Sequence, residues 1–320
     1  AAVAAKGKAA CEVIGLATPG DKSDRELLQA ALAGWANPAE STSSDTNDKP
    51  AASRTTWLVL IGHGTFDGKT ARFNLRGPDV SADELKGWLP AAEALGGPLA
   101  IVDCTSCSGP FLAALSGPNR VVAVATKSGH EYNFARFGDY FSSALGDPSA
   151  DLDKDEQTSL LEAFLRANSR VREFYESDHR LATEHALIDD NGDSLGTPGE
   201  WFQGLRPTKQ AKAGAALDGS LAARLVLAPS DREESWSPER RARRDALEQQ
   251  LVELRLRKST LPEAEYLTLL EPVLIELAKL SRDEPQASEA PEKNGTPTSE
   301  ESSAVDSVPM TKSVESPSAP

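Results

Sequence analysis

Residues 57–64 (WLVLIGHG) and residues 99–109 (LAIVDCTSCSG) are the two stretches of the sequence that decide its fold. Each begins with a short, continuous apolar run rich in β-branched residues, which is typical of a central strand in a parallel sheet. Between them, residues 81–89 (SADELKGWL) predict a helix with Ser81 as N-cap and Glu84 completing a capping box. Two parallel strands that flank one helix end at the same edge of the sheet, where open α/β sheets hold their ligands. The sequence therefore predicts that the residues following the two strands come together.

The other segments up to residue 230 alternate between strand-like and helix-like patterns. Further elements are predicted over residues 11–14, 24–35, 110–116, 121–126, 134–145, 155–176 and 221–227. The helix predicted over residues 24–35 has a capping box, with Ser23 as N-cap and Glu26 three residues later. Such alternation is the signature of an α/β protein with a mostly parallel sheet and helices on both faces. We expect one domain over residues 1–230, with a first strand missing because the sequence opens without Met on an apparent half-helix.

The remaining residues, 231–320, differ from this domain in composition. Residues 231–282 contain two helical patterns joined by a short connector, which predicts an antiparallel helical hairpin. The hairpin would serve either as a packing appendage or as a coil that binds a partner. Residues 283–320 are rich in Ser, Pro, Glu and Thr without periodicity, which predicts a disordered acidic tail. Residues 36–54 are similarly polar and predict a loop, also open to disorder.

Charge and cysteine content narrow the classes of function. The formal net charge of -15 argues against nucleic acids and anionic membrane surfaces as partners. No apolar run in the sequence is long enough to span a bilayer. Three cysteines do not make a disulfide framework, but Cys104 and Cys107 form a lone CxxC. A redox pair or a metal site is an alternative there, although no second CxxC or His pair accompanies it. The oligomeric state stays open.

The predicted sheet edge holds the groups that acyl transfer by a thiol requires. Cysteine attack on a carbonyl needs a thiol, a base within reach and donors for the oxyanion. His63 lies between two glycines, which expose its ring and the backbone N–H of Gly64. Cys107 stands in a tight turn before a predicted helix, whose N-terminus would favour the thiolate. We therefore predict a His63–Cys107 dyad. The alternative is that both motifs are ordinary turns and that the cysteines are small buried apolar residues.

These motifs resemble the caspase-like cysteine peptidases, and within them the legumain-like branch. Residues 57–64 are similar to the family's apolar strand and catalytic His-Gly, and residues 73–85 (FNLRGPDVSADEL) resemble the legumain connector. Residues 100–109 stand where the family has a strand, an acidic or Gln residue and the catalytic Cys near Ser-Gly. Residues 121–129 resemble the next strand and its specificity-forming loop. The resemblance covers about residues 10–145 and implies a caspase-like three-layer sandwich that cleaves peptide or protein substrates.

The resemblance also implies a role for each residue at this edge. His63 would be the base, and Gly64 would be an oxyanion donor. Cys107 would be the nucleophile, with Cys104 as the second choice. Asp103 would be an acidic wall of an S1 pocket that favours a basic or polar P1 side chain, with Glu131 and His130 as alternatives for substrate contact. The register departs from the legumain pattern, because the position three before Gly109 is Ser106 and not a cysteine.

These residues support three hypotheses about function. The first is a cysteine endopeptidase with a His-Cys dyad, a chemistry that requires no cofactor. The second is a caspase-like pseudo-peptidase that keeps the fold and acts as a binding or scaffold module. The third is a thiol redox protein that uses Cys104 and Cys107, and it leaves His63 without a role. The Met-less start and the legumain resemblance favour export, whereas two nearby unpaired cysteines are compatible with a cytosol.

One further stretch, residues 189–200 (DDNGDSLGTPGE), matches part of a calcium-loop pattern. Positions one, three, five and twelve are Asp189, Asn191, Asp193 and Glu200. The sixth position is Ser rather than Gly, and no second hand is visible. The stretch therefore predicts either a Ca²⁺ site or a plain Asp/Asn/Gly turn.

Overall fold

The computed structural model describes residues 5–7, 9–17, 20–35, 55–89, 97–212 and 216–282, and these form a mixed α/β protein. All of them belong to one compact unit, Ala1–Asp283. The predicted loop 36–54 and the predicted tail 283–320 lie outside the described residues. Every helix within the described ranges is too short or too polar to cross a bilayer.

The described strands form one central sheet and two small ones. In chain order they are β1 Thr56–Leu60, β2 Gly64–Phe66, β3 Ala71–Phe73, β4 Val80–Ser81, β5 Leu99–Asp103, β6 Arg120–Val124, β7 Leu187–Asp189, β8 Thr197–Pro198, β9 Phe202–Gln203 and β10 Arg206–Pro207. The central sheet has the order β1-β5-β6-β7-β8, while β2-β3-β4 and β9-β10 form the small antiparallel sheets.

The described helices alternate with these strands. They are α1 Asp24–Gly34, α2 Ala82–Trp88, α3 Gly109–Leu115, α4 Phe137–Ala144, α5 Leu160–Ser177, α6 Asp231–Glu234, α7 Pro238–Leu256 and α8 Glu263–Arg282. Three of them begin with a capping box, in which an N-cap Ser and a Glu three residues later exchange hydrogen bonds. The boxes predicted for α1 and α2 are confirmed. Helix α5 begins at residue 160 rather than 155, because its own box starts at Ser159.

The central sheet is mixed rather than mostly parallel, which corrects the prediction. Strands β1, β5 and β6 are parallel, whereas β7 pairs antiparallel with β6, and β8 pairs antiparallel with β7. Two helices, α4 and α5, lie between β6 and β7 in the chain and pack against each other. A connection with two helices returns the chain to the end of the sheet where β6 finished, so β7 runs the opposite way.

Both faces of the sheet carry an apolar cluster. Along β5, Ala100 and Val102 pack in a cluster with α4 and α5, whereas Leu99 and Ile101 pack in a cluster with α1, α2 and α3. All five β5 residues are buried, so this strand lies at the centre of the fold. Helices on both faces were predicted by the continuous apolar runs.

Two predicted strands are wrong. Residues 11–14 have no regular structure, and residues 221–227 form a 3₁₀ turn at Ala222–Arg224 with a single bridge between Ser159 and Val226. At the end of the described chain, α7 and α8 pack side by side. The Arg240 guanidinium donates to the Leu280 carbonyl, and Arg243 lies 3.8 Å from Glu276. We call α7 and α8 the C-terminal helix pair.

Candidate active site

Strands β1 and β5 bring the two sequence motifs to one edge of the sheet. The strands pair in parallel with Leu60 opposite Asp103, and the N–H of Cys104 donates to the Leu60 carbonyl at 2.9 Å. The residues that follow each strand therefore leave the sheet side by side. This is the juxtaposition that the sequence predicts.

The contact between the two strand ends is made by Gly64 and Ser106. The Ser106 hydroxyl donates to the Gly64 carbonyl at 3.1 Å and accepts from the Gly64 N–H at 3.3 Å. A methyl group added at Gly64 would overlap the carbonyl oxygen of Ser106, so only glycine permits this approach. Ser106 is thus the side chain that meets the His-Gly turn. The sequence offered a signal for it, since it lies three positions before Gly109.

His63 stands exposed beside this contact. Its backbone carbonyl accepts from the Asn74 N–H at 2.9 Å, which anchors the turn to the residue that follows β3. Within the described chain no side chain is hydrogen-bonded to its ring. The imidazole is therefore accessible to a ligand, but no neighbour fixes its orientation.

Both predicted nucleophiles are buried. Cys107 is 1% exposed and adopts a left-handed backbone conformation with φ +58°, and its N–H donates to the Glu131 carbonyl at 2.9 Å. Cys104 is 7% exposed and packs against Gly138, where an added methyl group would lie 2.6 Å from the Cys104 Cβ. Among the described residues, neither thiol is hydrogen-bonded to His63. Both thiols are therefore shielded from solvent, whereas the imidazole is exposed.

Burial also acts against the thiolate form of these cysteines. It raises the pKa of Cys104 and of Cys107 above the ordinary thiol value, and the nearby charge of Asp103 raises both further. For Cys107, a hydrogen bond from Ser106 offsets part of this effect. The thiolate expected at a helix N-terminus stays a prediction, and the raised pKa of Cys107 acts against it.

Asp103 is a buried carboxyl rather than the wall of an open pocket, which corrects the sequence-based prediction. The side chain is 0% exposed, and its Oδ1 accepts from the Thr105 N–H at 3.0 Å and from the Thr105 hydroxyl at 2.7 Å. Its Oδ2 has no partner among the described residues. Burial raises the pKa of Asp103 to about 7. A substrate side chain at the surface does not reach this group.

Glu131 connects three segments of the edge. One carboxylate oxygen accepts from the backbone N–H groups of Lys127 at 2.9 Å and His185 at 3.2 Å, and the other lies 2.5 Å from His185 Nδ1. Its backbone carbonyl holds the turn at Cys107. Glu131 was predicted to contact substrate, but its carboxylate is used within the protein. His185 was missed, because no local motif marks it.

His130 remains an exposed group at the edge. Its ring packs edge-on against Phe66 at 5.2 Å between ring centroids, beside the strand that begins at Gly64. Two large aromatic side chains follow in the same loop, Tyr132 with 75% and Phe134 with 62% of their surface exposed. The edge thus presents imidazole and aromatic rings to solvent.

Comparison with protein-family models, curated proteins and solved structures gives no match. The functional interpretation of this edge therefore depends on its geometry and on the motifs of its sequence.

The predicted calcium-loop residues 189–200 use most of their side-chain oxygens to fold the loop itself. The Asp189 carboxylate accepts from the N–H groups of Gly192 and Ser194, both at 2.9 Å, and Asp193 Oδ1 accepts from the Leu195 N–H at 2.8 Å. The other oxygen of Asp193 is buried without a partner among the described residues. The ligand oxygens of Asp189, Asp193 and Glu200 do not all lie within 4.8 Å of one another. The four predicted ligands are therefore not gathered into one set.

A different loop gathers three carboxylates. Asp151, Asp153 and Asp155 can each offer an oxygen within 4.8 Å of the others, the one such acidic group among the described residues. They occupy positions one, three and five of a twelve-residue stretch that ends at Glu162, in the first turn of α5. Partial burial and repulsion from neighbouring carboxylates raise the pKa of Asp153 to about 7. The alternating acidic pattern of residues 151–155 was the signal for this loop in the sequence.

Proposed function

We propose that this chain is a caspase-like module that binds an extended peptide at the His63 edge and does not cleave it with a cysteine thiol. The observation that carries this proposal is the contact between Ser106 and Gly64. In the legumain pattern the nucleophile lies three positions before the glycine, and here that position is Ser106. The Ser106 hydroxyl is hydrogen-bonded to the Gly64 backbone and to the Cys107 side chain, and among the described residues it has no hydrogen bond to a base that would activate it.

The surroundings of the contact also favour binding over cleavage. The Gly64 N–H, which the resemblance implies as an oxyanion donor, already donates to the Ser106 hydroxyl. The thiols of Cys104 and Cys107 are buried, and burial raises the pKa of each. In contrast, the rings of Tyr132 and Phe134 are exposed, and exposed aromatic groups are typical of a surface that binds a partner.

Thiol labelling of the intact protein with iodoacetamide across pH, with peptide mapping, tests the first half of this proposal. Cys11 is exposed and serves as an internal reference. We expect Cys104 and Cys107 to label far more slowly than Cys11, at a rate that rises only above the ordinary thiol pKa. The rate should be the same in His63→Ala.

The cysteine endopeptidase is the second candidate, and one observation favours it. His63 is exposed beside Gly64, and Cys107 follows the residue that contacts this turn. Fast labelling of Cys107 near pH 6 that is lost in His63→Ala would establish a thiolate–imidazolium pair. It would replace the binding proposal with the peptidase.

Selection from a random peptide library displayed on phage tests whether the His63 edge binds an extended peptide. The wild-type chain should enrich peptides that a Tyr132→Ala variant no longer binds. Leu181→Ala is the matched control, because Leu181 is 91% exposed. Equal loss of binding in both variants, or no enrichment by the wild type, would contradict the proposed peptide site.

We also propose Ca²⁺ as a ligand of this chain, with residues 151–162 as the first site to test and residues 189–200 as the second. Both stretches have Asp at positions one and five and Glu at position twelve, as calcium loops do. At position six, Glu156 has φ +73° and Ser194 has φ +66°, the conformation for which calcium loops use glycine.

Calorimetric titration with Ca²⁺, with Mg²⁺ as competitor, measures this binding. If residues 151–162 hold the ion, Asp153→Asn should weaken Ca²⁺ binding by about tenfold or more, since it removes a charged ligand. Asp189→Asn should do so if the second stretch holds it. Asp178→Asn, at an exposed position, is the control. Absence of heat in the wild type would reject both sites.

A further inference from the structure

A cavity of about 430 Å³ lies beside the small sheet formed by β9 and β10. The described residues that line it include Gln203, Arg206, Pro207, Lys209 and Leu217. Cavities that hold small molecules have volumes of about 300 to 1,000 Å³. This cavity is therefore large enough for a small organic molecule, and it involves none of the residues of the His63 edge.

The pairing of β9 with β10 directs two polar side chains away from the core. In the antiparallel register, Gln203 lies opposite Arg206, and Phe202 lies opposite Pro207. Side chains of directly opposed residues project from the same face of a sheet, and those of the next residues along each strand project from the other face. Because Phe202 packs against the core cluster that contains α4 and α5, Gln203 and Arg206 project from the outer face. Both residues are exposed there.

Trp201 anchors the segment that follows β10. The N–H and the hydroxyl of Thr208 both donate to the Trp201 carbonyl, at 2.7 and 2.8 Å. The Nζ of Lys209 lies 5.8 Å from the centre of the Trp201 ring, within the range of a cation–π interaction. The backbone before Lys209 and its ammonium group are thus both held by Trp201.

The cations that line this cavity have no counter-charge within the described chain. Residues 201–217 contain three Lys and Arg and no Asp or Glu. Arg206 and Lys209 form no ion pair with another described residue. The nearest carboxyl groups in the sequence, those of Glu200 and Asp218, do not line the cavity, and Asp218 is buried and hydrogen-bonded within the protein. Positive charge is thus concentrated here in a chain whose formal net charge is -15.

We propose that this cavity binds a small organic molecule that carries a phosphate group. The guanidinium of Arg206 matches two phosphate oxygens, and the ammonium of Lys209 supplies the second positive charge for a dianion. Pro207 and Leu217 offer apolar atoms to the organic part of the ligand. The net negative charge of the chain opposes polyanions such as nucleic acids and anionic membranes, because they interact with the whole surface. A small anion interacts mainly with the two cations nearest to it, since more distant charges are screened.

Calorimetric titration of the full chain with phenyl phosphate, inorganic phosphate and benzoate tests this proposal. Phenyl phosphate should bind more tightly than inorganic phosphate, because only its ring reaches the apolar atoms of the lining. It should also bind more tightly than benzoate, which carries a single charge. Absence of phenyl phosphate binding would overturn the proposal, and benzoate binding of equal or greater strength would overturn the assignment to phosphate.

Variants of the two cations test whether the cavity is the site of binding. Arg206→Gln and Lys209→Gln should each weaken phenyl phosphate binding by about tenfold, because each removes a hydrogen bond to a charged group. Arg255→Gln in α7 and Lys86→Gln in α2 are the matched controls, since both side chains are exposed and lie outside the cavity lining. Equal weakening in the controls would show that binding follows net charge, and it would overturn the proposed site. Circular dichroism confirms that each variant is folded.

Discussion

The two strand ends that meet at the candidate site have opposite environments. After β1, the chain turns outward, and His63 is exposed with no hydrogen bond to its ring from the described residues. After β5, the chain turns inward, and Asp103, Cys104 and Cys107 are all less than 10% exposed. Topology thus brings the two motifs to one edge, but burial decides which of their groups can react. Residues that follow adjacent strands can lie close together and still differ in their exposure to solvent.

Ser106→Cys should reduce this difference, because it puts a thiol beside the exposed His63. The new thiol would take the place of a hydroxyl 3.3 Å from the Gly64 N–H. Ser106 is itself only 6% exposed, so in a Cys11→Ser background we expect iodoacetamide to label this thiol about tenfold faster than Cys104, through the effect of the imidazole on the thiolate.

Adding His63→Ala to the Ser106→Cys variant provides the control. The labelling rate near neutral pH should fall by about tenfold, since the imidazole would no longer stabilise the thiolate. A new thiol that labels as slowly as Cys104 would mean that the imidazole does not act on position 106.

The pH dependence of the unfolding free energy in Asp103→Asn tests whether the residues after β5 are buried. Burial raises the pKa of Asp103 from 3.8 to about 7, so the folded state holds the proton more tightly than the unfolded state. Its contribution to stability is complete below pH 3.8 and is lost as the pH rises through about 7. Between pH 4.5 and 7.5, the wild type should therefore lose about 3 kcal/mol of unfolding free energy relative to Asp103→Asn.

Urea unfolding at several pH values measures this change. Asp67→Asn is the control, because Asp67 is exposed and its pKa is lowered by the Arg72 side chain, so it stays ionised over this range. Parallel pH curves for the wild type and Asp103→Asn would show that the carboxyl is solvated. The conclusion that the residues after β5 are buried would then be wrong.

Glu131→Gln should loosen the inward turn with a smaller effect. Gln cannot offer two acceptor oxygens, so the amides of Lys127 and His185 or the His185 ring lose a partner. We expect a loss of about 1 to 2 kcal/mol in unfolding free energy and a several-fold rise in Cys107 labelling. Glu176→Gln, at a side chain 70% exposed, should change neither quantity. An unchanged labelling rate in Glu131→Gln would show that the Glu131 carboxylate does not position the turn.

The sequence predicted those elements that local patterns determine. The apolar runs at β1, β5 and β6 and the capping boxes of α1 and α2 involve neighbours in the chain, and each lies where it was expected. The meeting of the two motifs followed from the parallel pairing of β1 with β5. Ser106 could have been predicted as the contact residue from the sequence, because it lies three positions before Gly109.

Side-chain direction and long-range contacts were not predictable in this way. The inward orientation of Cys107 depends on a left-handed turn that the Glu131 carbonyl stabilises, 24 positions along the chain. The His185–Glu131 pair also joins distant parts of the chain, so no local pattern predicts it. The antiparallel strand β7 has three residues, which are too few to show a pattern. The predicted helix began at residue 155, so Asp155 was assigned to α5 instead of to the loop that gathers it with Asp151 and Asp153.

Carboxyl groups on the two faces of the sheet differ in their response to acid. In α1 and α2, which lie on one face, hydrogen bonds from serines lower the pKa of Glu26, and the Arg25 side chain with Ser81 lowers that of Glu84 to about 2. These carboxylates stabilise the fold above their ordinary pKa, and that contribution disappears as the pH falls through their folded values. On the other face, burial raises the pKa of Glu184, which accepts from the start of α4, so protonation there is favoured. We therefore expect acid unfolding to begin on the α1–α2 face, while the layer formed by α4 and α5 is the last to separate from the sheet.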